Sequence, residues 1–170
     1  MDFLEKDLEN IIFTSDKELL NDRGLTIIGK LLRQTRIGNY GIADLIELRR
    51  SCNESSYINN QKFIPELKII IYELKQDEIN INSFLQAIGY MKGIQKYINK
   101  HKYNFSFEIF YQIILIGKKM NMNTSFSYLS DLLPYNQDGN AFLECYTYSY
   151  EIDGIHFNYE CDYCLTNEGF

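Results

Sequence analysis

The chain has 170 residues, a net charge of −6, and many Tyr and Phe residues but no Trp. That length suits one domain with a substantial hydrophobic core. No run of about 18 apolar residues exists, which excludes a membrane-spanning helix. The acidic balance argues against a protein that coats nucleic acid non-specifically, while leaving room for a local basic patch or a basic partner.

The first residues lack a basic leader and an apolar core, so no signal peptide is expected. The four cysteines, Cys52, Cys145, Cys161 and Cys164, are accordingly read as reduced thiols of a cytoplasmic protein.

Residues 3–13 carry Leu4, Leu8, Ile11 and Ile12 at helical spacing, with Glu5 and Glu9 one turn apart beside that stripe. A second helical piece is expected over 15–20, broken at Asp22-Arg23-Gly24. Residues 31–37 read as a strand, 38–41 as a turn, and 42–48 as the returning strand. Asp44 lies inside that second strand, where a carboxylate is out of place for a purely structural role. Residues 51–65 are polar and turn-rich, long for a hairpin connection, and read as a loop that is dispensable for folding.

Residues 67–75 are apolar, β-branched or aromatic apart from Lys68, Glu73 and Lys75, the composition of a strand in the middle of a sheet. Strand side chains alternate, so Glu73 and Lys75 point the same way. An antiparallel pairing across the 51–65 loop puts Arg49 near Leu67 and Asp44 opposite Tyr72 or Glu73. Asp44, Glu73 and Lys75 then meet at the sheet end away from the loop.

Asn82-Ser83 is the expected cap of a helix running to about Ile98, with Phe84, Ile88, Met91 and Ile98 in its apolar stripe and Gln86, Tyr90 and Tyr97 on another flank. Residues 105–116 read as another buried strand, and 125–133 as a short helix stopped by Pro134. Asp153-Gly154 marks a type I′ hairpin between strands over 141–152 and 155–160. Cys161-Asp162-Tyr163-Cys164 has the spacing of half a zinc site. Cys145 and His156 are available as a second pair at an unfamiliar spacing, so two ordinary cysteines are the simpler reading.

The order is a helix with glutamates, a strand with Arg33-Gln34, and a strand with Gly41-Ile42-Ala43-Asp44-Leu45-Ile46. Tyr72-Glu73-Leu74-Lys75 and a helix with Gln86 and Tyr90 follow. This resembles the PD-(D/E)XK nuclease superfamily, and within it the carboxy-terminal nuclease domain of the mismatch-directed endonucleases of archaea and actinobacteria. The resemblance covers about residues 3–117. Ala43 departs from the pattern, standing where the motif has Pro, and the 51–65 insertion is longer than the usual connection.

The resemblance implies an α/β (α+β), restriction-endonuclease-like fold: a mixed central sheet flanked by helices, with a core over 3–117 and a C-terminal extension over 118–170 containing the hairpin. It implies a Mg²⁺- or Mn²⁺-dependent endonuclease acting on DNA. Asp44, Glu73 and Glu5 would be metal ligands, Lys75 would face the attacking water or the developing charge, and Gln86 would orient the site. Glu9 is the alternative acid of the first helix. The residue types suit that chemistry, because hard divalent ions take oxygen ligands and a cation stabilises charge building on a phosphate. DNA is the expected partner, along with a homodimer or a basic protein partner. The competing expectation is a nuclease-like fold serving as a non-catalytic nucleic-acid- or protein-binding module.

Overall fold

The structure, a computed structural model, describes residues 4–51, 65–101, 108–120 and 143–163, apart from the side chains of Asp162 and Tyr163. The expected loop over 51–65 lies outside the described residues except at its two ends. The helix expected over 125–133, Cys52 and Cys164 lie wholly outside them.

The chain forms helices α1 (Glu5–Thr14) and α2 (Lys17–Asp22), then strands β1 (Lys30–Arg36), β2 (Ile42–Ser51) and β3 (Glu66–Leu74). A short β4 (Glu78–Ile79) precedes the long helix α3 (Ile81–His101). Strands β5 (Glu108–Gly117), β6 (Lys119–Met120), β7 (Leu143–Glu151) and β8 (Gly154–Tyr163) follow. Six strands make one mixed sheet in the order β1-β2-β3-β5-β7-β8, and β4 and β6 pair in a small parallel ribbon beyond it. The pairs β1–β2, β2–β3 and β7–β8 are antiparallel, and β3–β5 and β5–β7 are parallel.

The position of β3 follows from its composition. Ile69, Ile70, Ile71, Tyr72, Glu73 and Leu74 are all buried, as a strand with partners on both edges and packing on both faces requires. Alternation sends Ile69 and Ile71 to the face covered by Phe84, Ala87 and Met91 of α3. Ile70, Tyr72 and Leu74 go to the opposite face, against Leu8 and Ile12 of α1 and Leu20 of α2. The sheet is thus the middle layer between two apolar clusters.

Three local expectations are corrected. The cap of α3 is Asn80 rather than Asn82-Ser83: its Oδ1 accepts from the amides of Asn82 (2.9 Å) and Ser83 (3.3 Å), satisfying donors that the first helical turn leaves free. Tyr90 is core rather than flank, because the buried stripe of α3 runs through Phe84, Ala87, Tyr90 and Met91, while Tyr97 is exposed. The hairpin turn is Ile152-Asp153, closed by the Glu151–Gly154 pair. It is not type I′, which needs positive φ at both central residues; only Gly154 has it here, at 130°.

Candidate active site

The β2–β3 register pairs Leu45 with Tyr72 and Ile46 with Ile71, so one step further Asp44 comes opposite Glu73. Both belong to the side of the sheet on which Ile46 and Ile71 meet α3. The Asp44 carboxylate accepts from the Leu74 amide at 3.0 Å, which fixes it across the strand pair. Glu73 is only 1% exposed. Its Oε1 accepts from Lys75 Nζ at 2.5 Å, and its Oε2 is buried with no hydrogen-bond partner. A carboxylate oxygen in that condition is costly unless a proton or a cation supplies what is missing.

Electrostatics reflects this crowding. Burial pushes the Asp44 carboxyl up to about 6, with Glu5 and Glu9 adding to the rise against the Leu74 hydrogen bond and the Lys75 charge. Burial first, and Asp44 second, push Glu73 up to about 7 despite its contact with Lys75. Burial works against the Lys75 ammonium, but the Glu73 hydrogen bond and the charges of Glu73, Glu5 and Asp44 hold its pKa above the ordinary lysine value. One ammonium is therefore shared among three carboxylates.

The two acids of α1 have different surroundings. Glu9 is buried and accepts from Arg33 Nε and from Gln34 Nε2, so both its oxygens are engaged. Gln34 holds its position with φ 46°, the one positive value for a non-glycine among the described residues. Glu5 is half-buried, with a carboxylate oxygen 3.9 Å from Lys75 Nζ. On the α3 side, Gln86 Nε2 donates to the Tyr90 hydroxyl at 2.7 Å. Burial raises the Tyr90 pKa, and the Glu73 and Asp44 charges add to it against the Gln86 bond, so this pair borders the acids.

Asp44, Glu73, Lys75 and Glu5 thus lie around one end of the β2–β3 pair, more loosely than a closed metal cage, and Gln86 reaches that side only through its bond to Tyr90. Among the described residues, the group of three ligand side chains whose donor atoms lie within 4.8 Å of one another is Glu151, Asp153 and His156 at the hairpin tip. There Asp153 and His156 are held by their own 3.0 Å hydrogen bond. Cys145 and His156, the available second pair of a zinc site, lie apart along the hairpin, in keeping with two ordinary cysteines as the simpler reading. Cys145 is paired with Cys161 across β7–β8, while His156 pairs with Ser149, four residues along the strand. Cys145 and Cys161 are not joined in a disulfide.

The residues that sequence reading missed lie at the other end of the same strands. Glu47 is fully buried and accepts from Arg49 (3.0 and 3.2 Å), Tyr72 (2.7 Å) and the amides of Ile28 (3.0 Å) and Gly29 (2.5 Å). Burial alone would raise its pKa, but these bonds outweigh burial and hold it below the usual carboxylate range. A glutamate inside an apolar strand was the available signal, and Glu47 in Leu45-Ile46-Glu47-Leu48 carries it as visibly as Asp44 does.

No protein-family model, curated protein or solved structure matches the chain.

Proposed function

We propose that the chain is a metal-dependent phosphodiesterase of the PD-(D/E)XK type, an endonuclease acting on DNA. The observation that carries this reading is Glu73: a buried carboxylate opposite Asp44, with one oxygen on Lys75 and the other without a partner. The donor set fits a hard divalent ion, since Asp44, Glu73 and Glu5 offer only carboxylate oxygens and their mutual repulsion favours a cation. Mg²⁺ or Mn²⁺ held there would lower the pKa of an attacking water and neutralise phosphate charge.

The chain's own groups have separate tasks. Asp44 and Glu73 present oxygens from adjacent strands whose register the sheet fixes. Lys75 offers a positive charge toward the phosphate, stabilising the negative charge that builds on its oxygens. Glu5 is the helix acid beside Lys75, while Glu9 anchors α1 through Arg33 and Gln34. Gln86 and Tyr90 shape the α3 side of the site.

A second reading, a non-catalytic binding module on the same fold, is favoured by the net charge of −6 and by the tight Glu73–Lys75 contact, which occupies the ammonium. A cleavage panel separates the two. Single-stranded, duplex, branched and mismatched DNA are incubated with the protein in Mg²⁺ and in Mn²⁺, with Asp44→Ala as control. The enzyme cuts at least one substrate and the variant none; a binding module cuts none in either form.

A further inference from the structure

A concavity lies away from the acid cluster. It lies at the opposite end of β2, where β1 begins at Lys30 and β2 runs on past it through Arg49 and Arg50. From Asp44 to Arg50 is six residues of strand, about 20 Å at ~3.3 Å per residue. The hollow measures about 700 Å³, within the range of small-molecule sites. Ile28, Leu48 and Leu67 give it apolar walls, and Lys17, Lys30, Arg49 and Arg50 give it four cations.

This concentration is unusual in a chain of net charge −6. Two of the cations are locked in place. Lys17 Nζ donates to the carbonyls of Ile28 (2.9 Å) and Gly29 (2.6 Å), leaving one N–H of its three. Arg49 is held through two bonds by the buried Glu47, which also grips the amides of Ile28 and Gly29 and so fixes the wall beside it. The other two, Lys30 and Arg50, are exposed, and among the described residues no carboxylate lies within 4.0 Å of either.

Gly29 makes the close wall possible. A Cβ there would stand 2.4 Å from the Leu48 carbonyl oxygen, so no larger residue lets this segment lie against β2.

Cations at the rim and aliphatic side chains behind them match a ligand with an anionic end and a flat apolar body. We infer that this hollow binds a nucleotide unit, its phosphate on Lys30, Arg50 and Lys17 and its base against Ile28, Leu48 and Leu67. The unit is either a free nucleotide or one residue of a polynucleotide strand, since both present the same chemistry. The inference rests on the lining residues and does not require the acid cluster to cut DNA.

The test is calorimetric titration in EDTA, with no divalent ion, using the full chain and thymidine 5′-monophosphate, thymidine or a ten-residue oligothymidylate. The K30E/R50E double variant alters only exposed side chains, and circular dichroism checks its fold; K30Q/R50Q serves if it misfolds. A free-nucleotide site binds the monophosphate at least ten-fold more tightly than thymidine and loses at least ten-fold in the variant. A strand site binds only the oligonucleotide, with the same loss. Binding of neither phosphate ligand, equal binding of thymidine, or unchanged binding by the variant overturns the inference. Because no metal is present, a chain that fails to cleave DNA can still bind here, and a chain that cleaves can still lack this site.

Discussion

Glu73 and Lys75 meet at 2.5 Å, yet the second Glu73 oxygen stays buried with no partner and the carboxyl is pushed up to about 7. A single ammonium two residues away thus fails to offset burial plus the neighbouring Asp44. That imbalance has consequences that can be measured without knowing a substrate.

The first concerns pH. Asp44 and Glu73 have folded pKa values near 6 and 7, above their ordinary values of 3.8 and 4.5. A carboxyl with a raised folded pKa binds its proton more tightly in the native state. Its contribution is therefore present at low pH and is lost as pH rises through the folded value. Metal-free protein should lose stability from about pH 4 to about pH 7.5, on the order of 3 kcal/mol for each carboxyl taken alone. Other groups also titrate there, so the difference between wild type and D44N/E73Q in urea unfolding is the quantity to follow. That difference should grow in the variant's favour across the window; a constant difference contradicts the assignment.

A second expectation separates the two acids of α1. Glu9 is buried with both oxygens engaged, so Glu9→Ala leaves Arg33 and Gln34 without their acceptor and should cost about 2–4 kcal/mol. Glu5 is half-buried and makes only a long 3.9 Å contact with Lys75, so Glu5→Ala should change stability by less than about 0.5 kcal/mol while reducing cleavage. Urea unfolding and a cleavage assay on both variants check this. Equal destabilisation would mean that the two residues share one role.

The fold was legible where composition and alternation agree. The run at 67–75 could only be a central strand, and once β2 and β3 are paired antiparallel, Asp44 opposite Glu73 follows from counting. The cap at Asn80 was misplaced because Asn80, Asn82 and Ser83 all suit the role, and only geometry shows which side chain reaches the free amides. Tyr90 was misplaced because it belongs to the i+3 step from Ala87 rather than to the Phe84–Ile88 step, and a buried tyrosine looks like a surface one in sequence. The cationic hollow was invisible because Lys17, Lys30, Arg49 and Arg50 come from three separated segments that Glu47 draws together.

The role of Glu47 gives a third prediction. Glu47→Ala removes the acceptor of Tyr72, Arg49 and two backbone amides at once. It should cost about 3–5 kcal/mol, far more than a surface glutamate. Gly29→Ala should also destabilise, because its Cβ collides with the Leu48 carbonyl. Thermal and urea unfolding report both. A neutral Glu47→Ala would show that the Ile28-Gly29 segment is held by other contacts.

The central claim is that Asp44 and Glu73 form a cation site served by Lys75, and its most direct test is calorimetric titration with Mg²⁺ and Mn²⁺, paired with DNA cleavage. Wild type should bind a divalent ion and cut. Asp44→Ala should lose both while remaining folded, since removing one of two crowded carboxylates relieves repulsion. Lys75→Ala should still bind the ion, because an ammonium is not a ligand, yet should fail to cut, because the reacting phosphate loses its cationic partner. If wild type binds no divalent ion even with DNA present and cuts none of the DNA forms, the enzyme is ruled out in favour of the binding module.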